Sequence, residues 1–141
     1  MGKPFRTEYE PQDFERDPNG NFHSTYFHVA CGHDRYAAFD ATGFSQETLR
    51  SRGLATVAKQ QSCEFFAPIR RGDRAVIETW VERIGTTSIC FRHDVCRASD
   101  GTLAARAQAV TVIVSLETGK AAKVPEDFAA ALAQFFPDKE Q

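Results

Sequence analysis

The chain is organised around one stretch, Asp17-Pro18-Asn19-Gly20-Asn21-Phe22-His23-Ser24-Thr25-Tyr26-Phe27. Pro18 presets φ for a turn, Asn19 tolerates unusual backbone angles, and Gly20 can adopt a positive φ. A helical pattern follows, and Ser24 or Thr25 is expected to cap its first amides. Such amides carry partial positive charge and suit an oxygen that is becoming anionic. A carboxylate beside them has the parts for hydrolysing an acyl bond, although the same letters also describe an ordinary polar turn that feeds a helix.

The helix that follows this turn has a face of small residues. It is predicted from Ser24 to about Asp40, and one face carries Phe27, Ala30, Cys31, Asp34, Ala37, Ala38 and Ala41 at helical steps. Apart from Phe27 this face is small, so a backbone can lie close to it. Thr42-Gly43 is a natural end for the helix.

The rest of the chain reads mainly as strands. A half-buried strand is predicted at residues 5–10, and four more at residues 56–69, 73–84, 86–98 and 103–116. Short links predict an antiparallel meander of these four strands, and the early helix has only that sheet to bury against. The last strand has an alanine-rich face that suits a closely packed helix. A short terminal helix begins near Pro125.

Composition narrows the class of protein. With 141 residues, 42% hydrophobic and 26% charged, the chain is expected to be a single domain over residues 1–141. A net charge of −2 gives no electrostatic case for nucleic acid, and no apolar run approaches the roughly 18 residues that span a bilayer. The N-terminus lacks the apolar segment of a signal peptide. We therefore expect a cytoplasmic location and reduced thiols at Cys31, Cys63, Cys90 and Cys96.

Several motifs occur in an order that is typical of one family. They are the Asp17–Gly20 turn, the Tyr26-Phe27 pair, the helix end near Gly43, Phe65-Phe66 before Arg71-Gly72-Asp73, the segment 88–93, and Thr118-Gly119-Lys120 before Val124-Pro125-Glu126. The chain thereby resembles the acyl-CoA thioesterases of the 4-hydroxybenzoyl-CoA thioesterase-like superfamily. This resemblance implies an α+β hotdog fold, in which an antiparallel sheet of about five strands wraps around a central helix, with a short C-terminal helix added.

The resemblance also implies roles for individual residues. Asp17 matches the family's acidic residue, which acts as nucleophile or as general base toward water. The oxyanion donor is a backbone amide at the helix start, within Ser24, Thr25, Tyr26 and Phe27. His23 is expected to orient water, bond the thioester oxygen or act as an acid. Many relatives read Gly-His-apolar-Asn after the turn, whereas here Asn21 and His23 have exchanged places.

Other polar residues give weaker signals. Arg70 and Arg71, together with Arg35 or Lys59, are candidates to meet the phosphates of coenzyme A. Asp13 and Glu15 are alternative loop carboxylates. Asp34 stands near the place where relatives often carry a glutamate, and its role is left open. No metal and no separate cofactor are expected, because residues spaced three and five apart on a helix do not converge, as at His28, Cys31 and His33.

The leading interpretation is hydrolysis of an acyl- or aroyl-CoA thioester, or of an acyl-carrier thioester, by a homodimer that pairs again into a tetramer. One alternative is a non-hydrolytic protein on the same fold that binds acyl thioesters or acts in protein interaction, which the exchange at Asn21 and His23 favours. A second alternative is a hydratase, which needs a histidine and an acid poised on the acyl chain. Only His23 and His93 are available for that role.

Overall fold

A computed structural model describes residues 2–137 of the chain. Over these residues the chain forms five strands and three α-helices. In chain order they are β1 (Phe5–Tyr9), α1 (Ser24–Ala41), α2 (Gln46–Ser51), β2 (Leu54–Phe65), β3 (Ala75–Ile84), β4 (Ser88–Arg97), β5 (Leu103–Ser115) and α3 (Glu126–Leu132). Single turns of 3-10 helix lie at Asp13–Glu15 and Ala133–Phe135.

The strands form one antiparallel sheet in the order β1-β3-β4-β5-β2. The predicted meander of four consecutive strands is therefore wrong for β2, which pairs with β5 instead of β3. The reason is that β1 occupies the free edge of β3. The link at residues 66–74 crosses the end of the sheet, where the amides of Phe66 and Ala67 both donate to the Ala104 carbonyl at 2.8 and 3.2 Å.

Helix α1 lies against the inner face of this sheet, which confirms the predicted hotdog arrangement. Near its start Ala30 and Cys31 pack in one core cluster with the inward alanines Ala105 and Ala107. The small helix face and the alanine-rich strand face thus meet as expected. Farther along, Phe39 lies in a second core cluster, together with Phe91 of β4 and the α3 residues Phe128 and Leu132.

The two edges of the sheet differ in character. Strand β1 is five residues long and exposes Arg6 and Glu8. Strand β2 has 12 residues and, over residues 2–137, pairs only with β5, which leaves Val57 50% and Phe65 49% exposed. The short charged edge is of the kind that resists further pairing, whereas the β2 edge is open to another strand. None of the helices within residues 2–137 is long and apolar enough to cross a membrane.

Candidate active site

The loop between β1 and α1 is held by its own hydrogen bonds. Glu15 is only 2% exposed, and its carboxylate accepts from the Gln12 amide at 2.7 Å and from the Tyr9 hydroxyl at 2.5 Å. Its carbonyl accepts from the His23 amide at 2.8 Å. Both oxygens of this carboxylate are thus engaged in holding the loop, so Glu15 is not a free substitute for Asp17.

Asp17 begins the tight turn that the sequence predicts. The Gly20 amide donates to the Asp17 carbonyl at 3.0 Å, and Gly20 has the positive φ of 83° that favours glycine. One carboxylate oxygen, Oδ1, accepts from the amides of Asn19 at 2.8 Å and Asn21 at 3.0 Å. Within residues 2–137 the other oxygen, Oδ2, accepts no hydrogen bond. The backbone therefore orients the carboxylate and leaves one oxygen available.

Helix α1 begins at Ser24 as predicted, but its cap is His23 and neither Ser24 nor Thr25. His23 has extended backbone angles, and its Nδ1 accepts from the Thr25 amide at 3.1 Å. The reason is that the turn brings the imidazole, rather than a hydroxyl, over the first turn of the helix. Because Nδ1 is the acceptor, the proton of the neutral ring lies on Nε2.

The first-turn amides are not equally available. Thr25 donates to His23 Nδ1, and Tyr26 donates to the His23 carbonyl at 2.9 Å. The amide of Ser24 meets no acceptor in the part of the chain that the structure describes. At the positive end of a helix such a donor suits an anionic oxygen. Among Ser24, Thr25 and Tyr26, Ser24 thus offers the open amide.

An open cleft of about 380 Å³ brings most of the predicted residues together. It is lined by Asp17, Asn21, Phe22, His23, Ser24, Phe27, Phe65, Phe66, Ala67 and Pro68. Thr25 and Tyr26 were predicted here but are not among the lining residues. The lining combines polar and aromatic residues, and the centre of the Phe27 ring lies 4.6 Å from that of Phe22 and 5.3 Å from that of Phe65.

A second cleft of about 460 Å³ adjoins the first and shares Asn21 with it. Its lining includes both predicted arginines, Arg70 and Arg71. Arg71 forms an ion pair with Asp13 at 2.7 Å. Arg70 is exposed and has no carboxylate within 4.0 Å among the described residues. Arg70 and Arg71 therefore lie in the cleft that adjoins the aromatic one, and Asn21 lines both clefts.

Arg35 and Lys59 lie elsewhere. Arg35 is only 8% exposed and contacts His93 and Gln61 beneath the sheet, so it is not available to a phosphate. The expectation for Arg35 is wrong because it lies on the buried side of α1. Lys59 is exposed on β2 and lines neither cleft.

His93 and Cys31, two further candidates, are both fully buried. His93 is fully buried and bonded to Arg35 and Thr79, so it does not reach the cleft as a hydratase mechanism requires. Cys31 is also fully buried, and this burial raises the pKa of its thiol to about 12, which confirms a core role. Among residues 2–137 no three His, Cys, Asp or Glu side chains come together as a metal site.

Sequence reasoning did not assign the aromatic wall to the site. Phe65 and Phe66 end β2 and are 49% and 55% exposed, and Pro68 follows them in the crossing link. Two consecutive phenylalanines at a strand end, just before a proline, were the available signal. Their place beside α1 depends on the pairing of β2 with β5, which the sequence pattern does not reveal.

The chain is similar in sequence to known thioesterases. The chain is 29% identical over 91 residues to the acyl-CoA thioester hydrolase YbgC of Escherichia coli, covering 64% of this chain and 67% of that protein. It is 23% identical over 93 residues to the chloroplastic acyl-acyl carrier protein thioesterase ATL3 of Arabidopsis thaliana, covering 66% of this chain and 49% of the relative. The matched region thus spans about half the length of this plant relative.

The fold agrees with that of a solved structure, a 1,4-dihydroxy-2-naphthoyl-CoA thioesterase from Synechocystis. The TM-score is 0.83 at 23% identity, over 97% of this chain and 98% of that chain. The sequence model of the thioesterase-like superfamily matches residues 11–132, which contain the turn, the central helix and β2 to β5. The chain therefore belongs to the thioesterase-like superfamily.

Proposed function

We propose that this protein hydrolyses acyl- or aroyl-CoA thioesters to the free acid and coenzyme A. The observation that carries the proposal is the pairing of two open groups on one cleft. These are the unbonded Oδ2 of Asp17 and the unbonded amide of Ser24, which belong to two residues that line this cleft. Thioester hydrolysis needs such a pair, because a base or nucleophile must act on the carbonyl carbon while a donor stabilises its oxygen.

In the proposed reaction, Asp17 either attacks the thioester carbonyl carbon or takes a proton from an attacking water. The carbonyl oxygen becomes anionic and accepts from the Ser24 amide. His23 lines the same cleft, and its Nδ1 is engaged by the Thr25 amide, so its Nε2–H serves as a second donor to this oxygen or to the water. Collapse of the intermediate breaks the carbon–sulfur bond and releases the thiolate of coenzyme A. With an attacking carboxylate, water then hydrolyses the acyl-enzyme anhydride.

The two clefts suggest how the substrate lies. Apolar and aromatic acyl groups suit the wall formed by Phe22, Phe27, Phe65 and Phe66. The phosphates of coenzyme A suit Arg70 and Arg71 in the adjoining cleft, since guanidinium groups form charge-assisted hydrogen bonds with phosphate oxygens. Asn21 lies between the two clefts and is placed to contact the linking arm.

We further propose a homodimer, paired again into a tetramer, in which β2 meets β2 of a second copy. Support comes from the unprotected 12-residue edge and from the half-exposed Phe65 and Phe66 at its end. A second copy on this edge covers those rings and deepens the aromatic cleft.

Release of free thiol, detected colorimetrically over short, long and aromatic acyl-CoAs, tests the proposal. We expect turnover with at least one class, and acyl-carrier protein substrates are assayed beside them because the plant relative is named for that carrier. Binding of acyl-CoA in calorimetry without any thiol release would instead support the non-hydrolytic alternative. If the protein neither binds acyl-CoA nor releases thiol, both the proposed hydrolysis and the non-hydrolytic alternative are contradicted.

A further inference from the structure

A buried polar network joins α1 to the sheet, away from the cleft. Asp34 is 3% exposed, and its two carboxylate oxygens accept from the hydroxyls of Thr7 on β1 and Thr79 on β3. The Thr79 hydroxyl lies 2.7 Å from Nδ1 of His93 on β4. Nε2 of His93 lies 3.0 Å from Nη1 of Arg35. The proposed reaction uses none of these side chains.

For each hydrogen bond in this network, the donor and the acceptor can be assigned. Arg35 only donates, so His93 Nε2 must accept and the ring proton lies on Nδ1. That proton is donated to Thr79 Oγ1, which leaves the Thr79 hydroxyl proton to be donated to Asp34. Burial, together with the charge of Arg35, lowers the pKa of His93 to about 3, so the ring stays neutral. The network thus connects a carboxylate and a guanidinium through two neutral groups.

The network spans the sheet beneath α1. It contacts β1, β3 and β4, and Nη2 of Arg35 reaches Gln61 of β2 at 3.5 Å. Strand β5 carries alanines beside two members of this network, since Ala107 pairs with His93 and Ala109 pairs with Gln61. These small side chains leave the room that the Arg35 side chain occupies.

The apolar contacts of α1 do not fix its position along its own axis to the same degree. Between Phe27 and Phe39 its buried apolar residues are Ala30, Cys31 and Ala38, which pack without direction. Hydrogen bonds weaken steeply when their length or angle changes. The polar network therefore adds directional contacts that resist sliding of the helix, beside the ring packing of Phe27 and Phe39 at its two ends.

We infer that Asp34, Arg35, Thr79 and His93 are positioning residues, which fix α1 along its axis and so hold the Ser24 amide at the distance from Asp17 that hydrolysis requires. The inference rests on the proposed function. Misplacement of a catalytic group by about 1 Å can cost roughly a hundredfold in rate. A sliding helix would move the oxyanion donor, whereas the cleft with Arg70 and Arg71 has no α1 residue in its lining and would stay in place.

Thr79→Val tests this inference, because it removes the central hydroxyl at nearly constant volume. We expect kcat to fall at least about tenfold with KM within about twofold, since the proposed coenzyme A cleft is not lined by α1 and the main loss is of transition-state contact. Thr79→Ser, which restores the hydroxyl, should return kcat to near the wild-type value. The matched control is Thr111→Val, a buried inward threonine on β5 that lies outside the network.

A kcat for Thr79→Val within about twofold of that of Thr111→Val overturns the inference, even if the melting temperature falls. Should Thr79→Val fail to fold, Thr7→Val at the partly buried end of the network replaces it, with an expected loss of about threefold in kcat. A Thr7→Val variant with unchanged kcat contradicts the inference in the same way.

A readout without turnover separates this inference from the proposed function. In nitrogen–proton correlation spectra, the amide resonances of Ser24 to Phe27 should shift in Thr79→Val, return in Thr79→Ser and stay in place in Thr111→Val. The nitrogen shifts of His93 should show a neutral ring protonated on Nδ1. If the wild type hydrolyses no thioester, the proposed function fails while these shifts still report the helix position. Unmoved resonances overturn the positioning role.

Discussion

Asp17 and Asn21 close the turn on each other, because the Asp17 amide donates to the Asn21 carbonyl at 2.8 Å while the Asn21 amide donates to Asp17 Oδ1 at 3.0 Å. This reciprocal pair fixes the carboxylate by backbone contacts alone. One oxygen serves the turn, and the other remains open beside the helix start. The family resemblance and the local turn chemistry thus describe the same residue in two compatible roles.

The proposed oxyanion donor can be removed without removing a side-chain function. Ser24 is the first residue of α1, where proline is well tolerated because the amide has no partner within the helix. His23 already has the extended angles, φ −67° and ψ 137°, that a following proline requires. We expect Ser24→Pro to fold normally and to lose about a hundredfold to a thousandfold in kcat, measured by thiol release.

Ser24→Ala is the matched control for this variant, since it keeps the amide and removes only the hydroxyl. Its kcat should stay near that of the wild type. Equal losses in both variants would assign the effect to the hydroxyl, and full activity in Ser24→Pro would exclude this amide as the donor.

Arg70 is predicted to contribute to binding of the coenzyme A portion. Arg70→Ala should raise KM for an acyl-CoA about tenfold, because a charge-assisted hydrogen bond to phosphate is lost, and should leave kcat nearly unchanged. The KM for an N-acetylcysteamine thioester, which lacks those phosphates, should not change. Lys59→Ala removes an exposed cation that lines neither cleft and serves as the control. Equal KM increases for both thioesters would argue against phosphate contact.

The buried carboxylate of Asp34 should make stability depend on pH. Burial raises its pKa from 3.8 to about 6, against the hydroxyls of Thr7 and Thr79 and the charge of Arg35, which lower it. The folded state therefore binds this proton more tightly than the unfolded state, so stability from this group is gained as pH falls through 6 toward 4. The corresponding change in the free energy of unfolding is about 3 kcal/mol.

Urea unfolding at pH 8 and pH 4.5 measures this dependence. The free energy of unfolding of the wild type minus that of Asp34→Asn should increase at the lower pH, since the variant lacks the titrating group. His93 has a neutral ring in both proteins, so it largely cancels in this difference. A difference that stays constant between the two pH values would contradict the raised pKa.

The open β2 edge predicts association. Scattering-detected gel filtration should give at least twice the 15.7 kDa of one chain. Gln60→Lys combined with Ser62→Lys places extra positive charge on this edge, and like charges facing each other across paired strands are destabilising. We expect this double variant to shift toward the monomer. Val110→Lys with Gln108→Lys, at the paired positions on β5, is the control that keeps the assembly. A monomeric wild type would contradict the proposal.

The sequence predicts the local parts of this molecule well. The turn at Asp17, the start of α1 at Ser24 and the alanine-rich face of β5 each follow from residues that are close together in the chain. Asp17, Asn21, His23, Ser24 and Phe27 of this stretch also line one cleft. These features depend on backbone preferences and on the alternation of side chains, which short segments of the sequence determine.

Features that depend on distant pairing were not predictable. The place of β2 beside β5 puts Phe65 and Phe66 in the cleft, yet the short link at Arg71-Gly72-Asp73 suggested that β2 and β3 pair directly. The contact of Arg35 with His93 joins residues 58 positions apart. Helical periodicity places Asp34 on the buried face, but no local pattern names its partners on two strands.

The central claim is that the carboxylate of Asp17 carries out thioester hydrolysis, and the kcat of Asp17→Asn tests it most directly. The amide oxygen of asparagine can still accept from the Asn19 and Asn21 amides, so the turn and the melting temperature should be preserved. Asp40→Asn, an exposed position on α1, is the matched control and should retain full activity. The account predicts that kcat for the most active acyl-CoA falls about a thousandfold in Asp17→Asn. A folded Asp17→Asn protein with a kcat within about twofold of the control would contradict it.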